Sequence, residues 1–419
     1  MTLSGSIGAA KYEIDVPADW NGTLFLWSHG YVPPGSTNFA QAAPSSAGAT
    51  WLTDHHYAIA GSSYSSTGWA LQDAFKDQIA LLDFFGTRVG KPQRVIAWGA
   101  SLGGIITAGL VQLYPDRFAA AMPLCGVLSG GVATWNTELD GAYAFKTLLA
   151  PKSDLQLVHI TDGAANLQLA LQTFNEAAAT PRGQARLALM AALIDLPGWF
   201  DPRLPEPAPA NYAARALAQD AWLSRVDFAF AFRFRTELEQ RAGGNPSWNV
   251  GVDYNHQLSI SPDHAEVIAL YEAAGLDLQA DLTALNSGTR IGADQSAAGY
   301  LAQYISFDGQ LSVPTLSVHT TGDGLVVAPN ESAYAEVVDS AGKLGMLRQL
   351  FVHRAGHCAF TPAETIAALQ VLLKRLDTGS WDGAAPASSF SGIASPPAFI
   401  SFSPAPYPRP FTKGMSIST

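Results

Sequence analysis

The stretch that decides the fold is RVIAWGASLGGIITAGL, residues 94–110. Its apolar start predicts a buried strand that ends near Trp98, and the apolar run from Leu102 predicts a helix. Between them, Gly99 to Gly103 (GASLG) matches G-x-S-x-G, the pattern of a sharp strand-to-helix turn that exposes a serine, here Ser101. Glycines leave room for such a turn because they carry no Cβ. The alternatives are a glycine-rich turn that only packs tightly, or one that binds a phosphate at the helix N-terminus, which the lack of P-loop and G-x-G-x-x-G patterns disfavours.

Strand and helix patterns alternate on both sides of this turn. The predicted strands are Lys11–Val16, Thr23–Ser28, Tyr57–Ser62, Arg94–Trp98, Ala119–Leu124, Thr315–Thr320 and Leu347–Val352. The predicted helices among them are Trp69–Val89, Leu102–Leu113, Ser332–Ser340 and Pro362–Leu376. The last helix has a complete start signal, with Thr361 as N-cap, Pro362 next and Glu364 completing a capping box. This alternation predicts an α/β fold, a mostly parallel sheet with helices on both faces.

The middle of the chain breaks this rhythm. Residues 131–310 are mainly helical in pattern, with helices predicted at Ala164–Ala178 and Gln184–Leu196. The run FAFAFRF, residues 228–234, alternates with period two and is compatible with a strand or an extended lid segment. We therefore predict a catalytic core of residues 1–130 and 311–377, a large helical cap of residues 131–310 inserted between strands 6 and 7, and a Pro/Ser-rich C-terminal strap or tail of residues 378–419.

Charge is scarce in this chain. Of 419 residues, 14% are charged and 48% are hydrophobic, and the formal net charge is −11. This excludes a disordered chain, and the negative charge makes nucleic acids and anionic membranes poor partners. Two windows, Val95–Pro115 and Phe118–Thr137, are free of charge over the length of a membrane span. Pro123 and the clustered glycines favour buried strands with core helices instead.

The first twenty residues show no basic segment followed by an apolar one, so the chain contains no predicted signal peptide. We expect either an exported bacterial protein whose signal peptide is absent from this chain, or a cytoplasmic protein. No cofactor is predicted, no Cys/His spacing is typical of a metal site, and the sequence leaves the oligomeric state open.

A nucleophilic serine needs a base to take its proton and an acid to orient that base. Where such a serine stands on a turn at the edge of a parallel sheet, the three residues follow one another along the chain in the order Ser, then Asp or Glu, then His. Asp323 follows the strand Thr315–Thr320, at the sheet edge where active-site residues collect, and its alternative is an ordinary Asp-Gly turn. His357 lies in the loop before the last helix, and we prefer it to His353, which ends a strand. We predict a triad of Ser101, Asp323 and His357.

Two backbone N–H groups are expected to stabilise the negative oxygen that forms during attack. One belongs to Leu102, directly after the nucleophile, and the other to Tyr31, in the loop that follows the strand Thr23–Ser28. The alternative for the second position is a simple loop. Among the aromatic residues of the insertion, Trp135, Trp199 and Phe230 are the first candidates for substrate binding, since substrate pockets are largely apolar. The same aromatics would serve equally well as the core of the cap.

Together these motifs resemble the α/β-hydrolase superfamily of serine esterases, lipases and related enzymes. The strand-to-helix turn that carries the serine is called the nucleophile elbow. Its sequence here, GASLGG, is similar to the elbows of secreted feruloyl esterases, polyhydroxybutyrate depolymerases and prolyl-oligopeptidase-like enzymes. The resemblance implies an α/β-hydrolase fold and a serine esterase that cleaves a small-molecule or polymeric carboxylic ester through an acyl-enzyme. An acyltransferase, a thioesterase or a peptidase would use the same triad. A ligand-binding protein without activity is the alternative from a different class.

Cys125 and Cys358 are the two cysteines of the chain. Tannase and feruloyl esterase relatives join a cysteine beside the catalytic histidine to one beside the nucleophile. This sequence departs from that pattern, because Ala100 and Leu102 flank Ser101. The resemblance implies a disulfide between Cys125 and Cys358, with two buried free thiols as the alternative.

Overall fold

The computed structural model describes residues 1–381 and 399–419, and its centre is a nine-stranded sheet. The strands are β1 Thr2–Ile7, β2 Ala10–Asp15, β3 Thr23–Ser28, β4 Ala58–Ser62, β5 Arg94–Ala100, β6 Ala120–Leu124, β7 Thr315–Gly322, β8 Leu347–Ala355 and β9 Phe399–Ile400. They lie in the order β1-β2-β4-β3-β5-β6-β7-β8-β9. Pairing is parallel from β4 through β8, and antiparallel at the β1, β2 and β9 edges. This is the α/β-hydrolase fold, as predicted.

Fourteen α-helices lie in the described part of the chain. They are α1 Ser46–Asp54, α2 Leu71–Arg88, α3 Leu102–Leu113, α4 Gly131–Leu149, α5 Gly163–Ala178, α6 Pro181–Leu193, α7 Tyr212–Trp222, α8 Arg235–Ala242, α9 Tyr254–Ile260, α10 His264–Ala273, α11 Leu278–Ser287, α12 Gln295–Gln303, α13 Pro329–Ser340 and α14 Pro362–Thr378. The capping box predicted at the start of α14 is present.

Helices cover both faces of the sheet, which explains why the central strands β3, β4 and β6 are buried along their whole length. In β3, Leu24 and Leu26 pack with α2 and α3, while Phe25 and Trp27 pack on the other face with α1 and α14. Side chains alternate between the faces of a strand, so every residue of β3 is buried. The uncharged windows of the sequence are thus β5 with α3 and β6 with the start of α4. None of the described helices is long and apolar enough to cross a membrane.

The segment between β6 and β7 carries α4 to α12. Within it, the run FAFAFRF is helical, and two π-helical turns, Leu223–Asp227 and Phe230–Phe234, precede α8. The strand alternative for this run is therefore wrong. Aromatics at every second position are also aromatics at every fourth, which is a helical spacing. Phe228 and Phe232 pack on Phe145 inside the insertion, while Phe230 and Phe234 contact the ring of Tyr31.

The end of the chain, residues 399–419, crosses both parts of the molecule, and we call it the C-terminal strap. Its β9 pairs with β8, and the carbonyl of Pro404 accepts a hydrogen bond from the hydroxyl of Ser332 in α13. Further on, Arg409 forms an ion pair at 2.7 Å with Asp140 of α4. The strap thus connects the sheet to the insertion. Of the predicted tail, residues 382–398 lie outside the described residues.

Candidate active site

Ser101 stands on a turn whose backbone is strained. It links β5 to α3 with φ 59° and ψ −122°, a conformation that L residues rarely adopt. The neighbouring glycines make this turn possible. A Cβ built on Gly99 would lie 2.5 Å from the carbonyl oxygen of Ser28, and one built on Gly103 would lie 1.9 Å from the same atom. The close approach of β3 to the turn therefore requires glycine at both positions.

Asp323 and His357 form a hydrogen-bonded pair at the carboxyl end of the sheet. The Nδ1 atom of His357 lies 2.8 Å from Oδ2 and 3.0 Å from Oδ1 of Asp323. Asp323 is fully buried, and its Oδ1 accepts hydrogen bonds from the backbone N–H groups of Leu325 and Val326. An acceptor fixed in this way places the proton of the imidazole on Nδ1 and leaves Nε2 free to act as a base.

His353, the competing histidine, lies elsewhere. Its ring is about half exposed, and its Nε2 pairs with Glu206 of the insertion at 3.3 Å. Trp199, which we considered for substrate binding, packs against that ring at a centroid distance of 5.1 Å and borders Gly322. The structure therefore does not bring Trp199 to the cavity beside Ser101.

A disulfide joins Cys125 to Cys358, with the Cα atoms 5.4 Å apart. Cys125 directly follows Leu124, whose carbonyl accepts the hydrogen bond of the Ser101 N–H at 3.0 Å. Cys358 directly follows His357, and its Sγ lies 3.5 Å from Nε2 of that ring. The bond thus holds the strand beside the nucleophile close to the loop of the base.

The same two cysteines and His357 place three potential ligand atoms within 4.8 Å of one another. A metal site of this kind needs thiolates, whereas these sulfurs are bonded to each other. The described chain brings together no other group of this kind.

The loop after β3 lies over the elbow. A Cβ built on Gly30 would lie 3.4 Å from Cβ of Ser101 and 3.8 Å from its Oγ. His29 holds this loop, because its Nε2 lies 3.0 Å from the carbonyl oxygen of Ser63 and its ring stacks on Tyr64. Burial lowers the pKa of His29, so the ring favours the neutral form.

A cavity opens beside Ser101, and it is mostly apolar. Its walls come from the sheet edge and from the insertion: Tyr31, Trp69, Ser101, Leu102, Val127, Thr134, Trp135, Glu138, Phe230, Leu325 and Val326. Sequence reasoning selected Trp135 and Phe230 from these aromatics, and it missed Trp69 and Glu138. One signal in the sequence could have pointed to Glu138: it is one of the few charged residues in α4, which is otherwise mostly apolar.

Glu138 brings a buried carboxyl group to this cavity. Burial raises the pKa of Glu138, although the charge of Arg235 opposes the shift. Asp227 lies beside it, is almost fully buried, and has no hydrogen-bond partner for its Oδ2 among the described residues. Burial, and then the charges of Glu138 and Asp323, raise the pKa of Asp227. The two carboxyl groups therefore resist ionisation, and a neutral carboxyl can donate a hydrogen bond.

One wall of the cavity is fixed by hydrogen bonds and an ion pair between the insertion and the sheet domain. Glu237 of α8 accepts a hydrogen bond from the backbone N–H of Trp69 at 2.9 Å. Arg241, one turn later, bonds the carbonyl of Thr67 at 2.8 Å and Asp73 at 3.2 Å. These contacts hold α8, and with it Phe230, against the loop that precedes α2.

Comparisons with known proteins agree with this architecture. The model of the prolyl oligopeptidase family matches residues 59–153, a region that includes Ser101 and ends before Asp323 and His357. The o-phthalyl amidase of Xanthobacter agilis is 29% identical over 410 residues, covering 90% of this chain and 87% of that protein. The chain is thus similar to an amidase along most of its length.

Two solved structures show similarity at low identity. An esterase from Aspergillus oryzae has a TM-score of 0.45 and 14% identity, with 90% of this chain and 79% of that chain covered. LipA, a rice cell wall degrading esterase from Xanthomonas oryzae, has a TM-score of 0.39 and 12% identity, with 88% of this chain and 84% of that chain covered.

Proposed function

We propose that this chain, a hydrolase of the α/β-hydrolase superfamily, cleaves carboxylic esters through a triad of Ser101, His357 and Asp323. The observation that carries the proposal is the hydrogen-bonded pair of His357 and buried Asp323 at the sheet edge where Ser101 stands on its strained turn. A serine, a base and an orienting acid are the groups that nucleophilic acyl transfer requires.

In this mechanism the Oγ of Ser101 attacks the carbonyl carbon of the substrate while Nε2 of His357 takes its proton. The N–H groups of Leu102 and Tyr31 stabilise the oxyanion of the tetrahedral intermediate. His357 then protonates the departing alcohol, which leaves Ser101 acylated. Water, deprotonated by His357, attacks the acyl group and releases the acid. Asp323 keeps the imidazole in the required tautomer throughout.

The cavity supports an ester with an apolar or aromatic group. Trp69, Trp135 and Phe230 supply aromatic surface next to Ser101, and among the described residues that line the cavity Glu138 alone has an acidic or basic side chain. Aromatic rings pack well on such surfaces at centroid distances of about 4.5–7 Å. We expect hydrolysis to be faster for benzoyl and naphthoyl esters than for acetyl esters of the same alcohol.

Replacement of the nucleophile tests the proposal. Ser101→Ala should lower kcat by about 10⁴-fold or more, as removal of a triad member does. Ser4→Ala, at an exposed position of β1, is the matched control and should leave kcat unchanged. Hydrolysis of a chromogenic aromatic ester and labelling by a fluorophosphonate are the two measurements. Activity of Ser101→Ala within tenfold of the parent protein would refute the triad, and failure of the parent protein in both assays would favour a ligand-binding protein.

Amide hydrolysis is the second candidate function. It is favoured by the o-phthalyl amidase, which matches this chain over most of both sequences. The same triad would serve, with His357 protonating a departing amine instead of an alcohol. A matched set of benzoyl ester, benzoyl anilide and 2-carboxybenzoyl anilide separates the two functions. Turnover of the anilides at rates near that of the ester would identify an amidase.

A further inference from the structure

His319 is a fully buried histidine that the proposed mechanism does not use. It lies in β7, four residues before Asp323, with its side chain enclosed between the sheet and α13. Its Nδ1 is 3.0 Å from Oε1 of Glu331, and its Nε2 is 2.7 Å from the carbonyl oxygen of Val326. The same Nε2 is 3.7 Å from Oδ2 of Asp323.

Both ring nitrogens of His319 therefore face oxygens that only accept hydrogen bonds. A backbone carbonyl has no proton to give, and an ionised carboxylate has none either. A neutral imidazole carries one N–H and would leave a lone pair facing one of these oxygens. An imidazolium carries two N–H groups and satisfies both contacts. His29 also faces two carbonyl oxygens, but the contacts of His319 include two buried carboxylates, and these select the charged form of its ring.

We propose that His319 is a buried imidazolium that acts as a positioning residue, keeping Asp323 ionised and oriented toward His357. This rests on the role assigned to Asp323 in the proposed function. The cation lies between two carboxylates and compensates both. It also binds the carbonyl of Val326, whose own N–H donates to Oδ1 of Asp323, so it holds the loop that orients the carboxylate.

The charges around the ring show why a cation is needed there. Asp323 and Glu331 are 0% and 1% exposed, and no arginine or lysine pairs with either among the described residues. Glu331 also accepts hydrogen bonds from Ser317 and Gln349, which stabilise its ionised form. Two buried carboxylates without a cation would repel each other, and one would take a proton.

The remaining titratable groups that face this cluster do not replace the cation. Asp227 lies near Asp323 with a raised pKa and supplies no positive charge, and Tyr334 packs near Glu331 as a buried neutral phenol. Burial alone lowers the pKa of His319, but the hydrogen bond and charge of Glu331, followed by the charge of Asp323, outweigh burial and raise it.

A pH profile separates this role from a purely structural one. In His319→Gln the two carboxylates lose the positive charge between them, so we expect the acid limb of the kcat/KM profile to move to higher pH. We expect a loss of about 100-fold or more at pH 6.5 that shrinks to roughly tenfold or less at pH 9, within the range seen when a triad acid is neutralised. The double variant His319→Gln with Glu331→Gln removes the second carboxylate and should return the acid limb toward that of the parent protein. A loss that is equal at every pH and persists in the double variant would overturn the proposal.

A direct measurement needs neither activity nor folding of a His319 variant. Neutron diffraction from crystals of the Ser101→Ala protein at pH 7.5 should show deuterium on both Nδ1 and Nε2 of His319. His29 is the internal reference, because its nitrogens face backbone carbonyls and no carboxylate, and we expect one deuterium on its ring. A single deuterium on His319 would overturn the proposal. An active Ser101→Ala protein would refute the proposed function instead, so the two failures are distinguishable.

Discussion

Gly103→Ala tests how closely β3 and the elbow must approach each other. The new Cβ would lie 1.9 Å from the carbonyl oxygen of Ser28 and 2.8 Å from that of His29. Both are backbone atoms, so no side-chain rotation relieves the clash. The turn and the end of β3 have to separate by about 1 Å before the contact becomes tolerable.

Two effects of this separation can be estimated. Overpacking of a well-packed site costs roughly 1–3 kcal/mol, and a rigid backbone obstacle puts this site at the upper end of that range. The displaced segment continues into Gly30 and Tyr31, which cover Ser101. A misplacement of about 1 Å at catalytic groups costs on the order of 100-fold in rate. We therefore expect a lower free energy of unfolding together with a loss of kcat.

Urea unfolding followed by circular dichroism gives the first quantity, and hydrolysis of an aromatic ester gives the second. Gly299→Ala is the matched control, since Gly299 lies inside α12 and its new Cβ would meet no atom within 4 Å. That variant should gain about 0.5–1 kcal/mol, because alanine is the better helix former. A Gly103→Ala protein with the stability and kcat of the parent would refute the steric account of the elbow.

Three further predictions concern stability, each measured by urea unfolding. Asp227→Asn should be more stable than the parent at pH 8, with a difference that vanishes toward pH 4. The carboxyl of Asp227 has a raised pKa in the folded state, so the parent protein loses stability as the pH rises above the ordinary pKa of an aspartate. Equal unfolding curves of parent and variant at pH 8 would contradict this. The double serine variant of Cys125 and Cys358 should lose about 2–5 kcal/mol, because the bond closes a loop with a sequence separation of 233; an unchanged midpoint would argue against it. Arg409→Met should cost about 3–5 kcal/mol by leaving buried Asp140 without a cation, and adding Asp140→Asn should recover part of that loss; no recovery would exclude this ion-pair explanation.

The sequence predicted the elements nearest the elbow well, because their signals are local. β3 and α3 begin and end at the predicted residues, and the start of α14 was readable from its capping box. The edge strand β1 escaped prediction because its half-exposed residues give no apolar run. The roles of Ser101, Asp323 and His357 stay predictions, although His357 and Asp323 lie in contact as their order in the chain suggested.

Features that depend on contacts between distant segments could not be predicted from the sequence. Asp227 and Glu138 are far apart in the chain, and their pairing appears only after the insertion has folded. His319 looked like an ordinary strand residue because its partner Glu331 belongs to α13. Trp199 and Phe230 carried the same sequence signal, yet one packs near β7 and the other reaches the cavity. Composition alone does not separate an aromatic that fills a core from one that lines a pocket.

The disulfide between Cys125 and Cys358 also decides what limited proteolysis would leave behind. An exposed, proline-rich loop of the insertion contains Arg203. Trypsin can cut the peptide bond between Arg203 and Leu204. A single cut there would divide the polypeptide into one fragment with Ser101 and another with Asp323 and His357. The cystine would keep the fragments covalently joined, so a nicked molecule would run as one band on a non-reducing gel and as two after reduction.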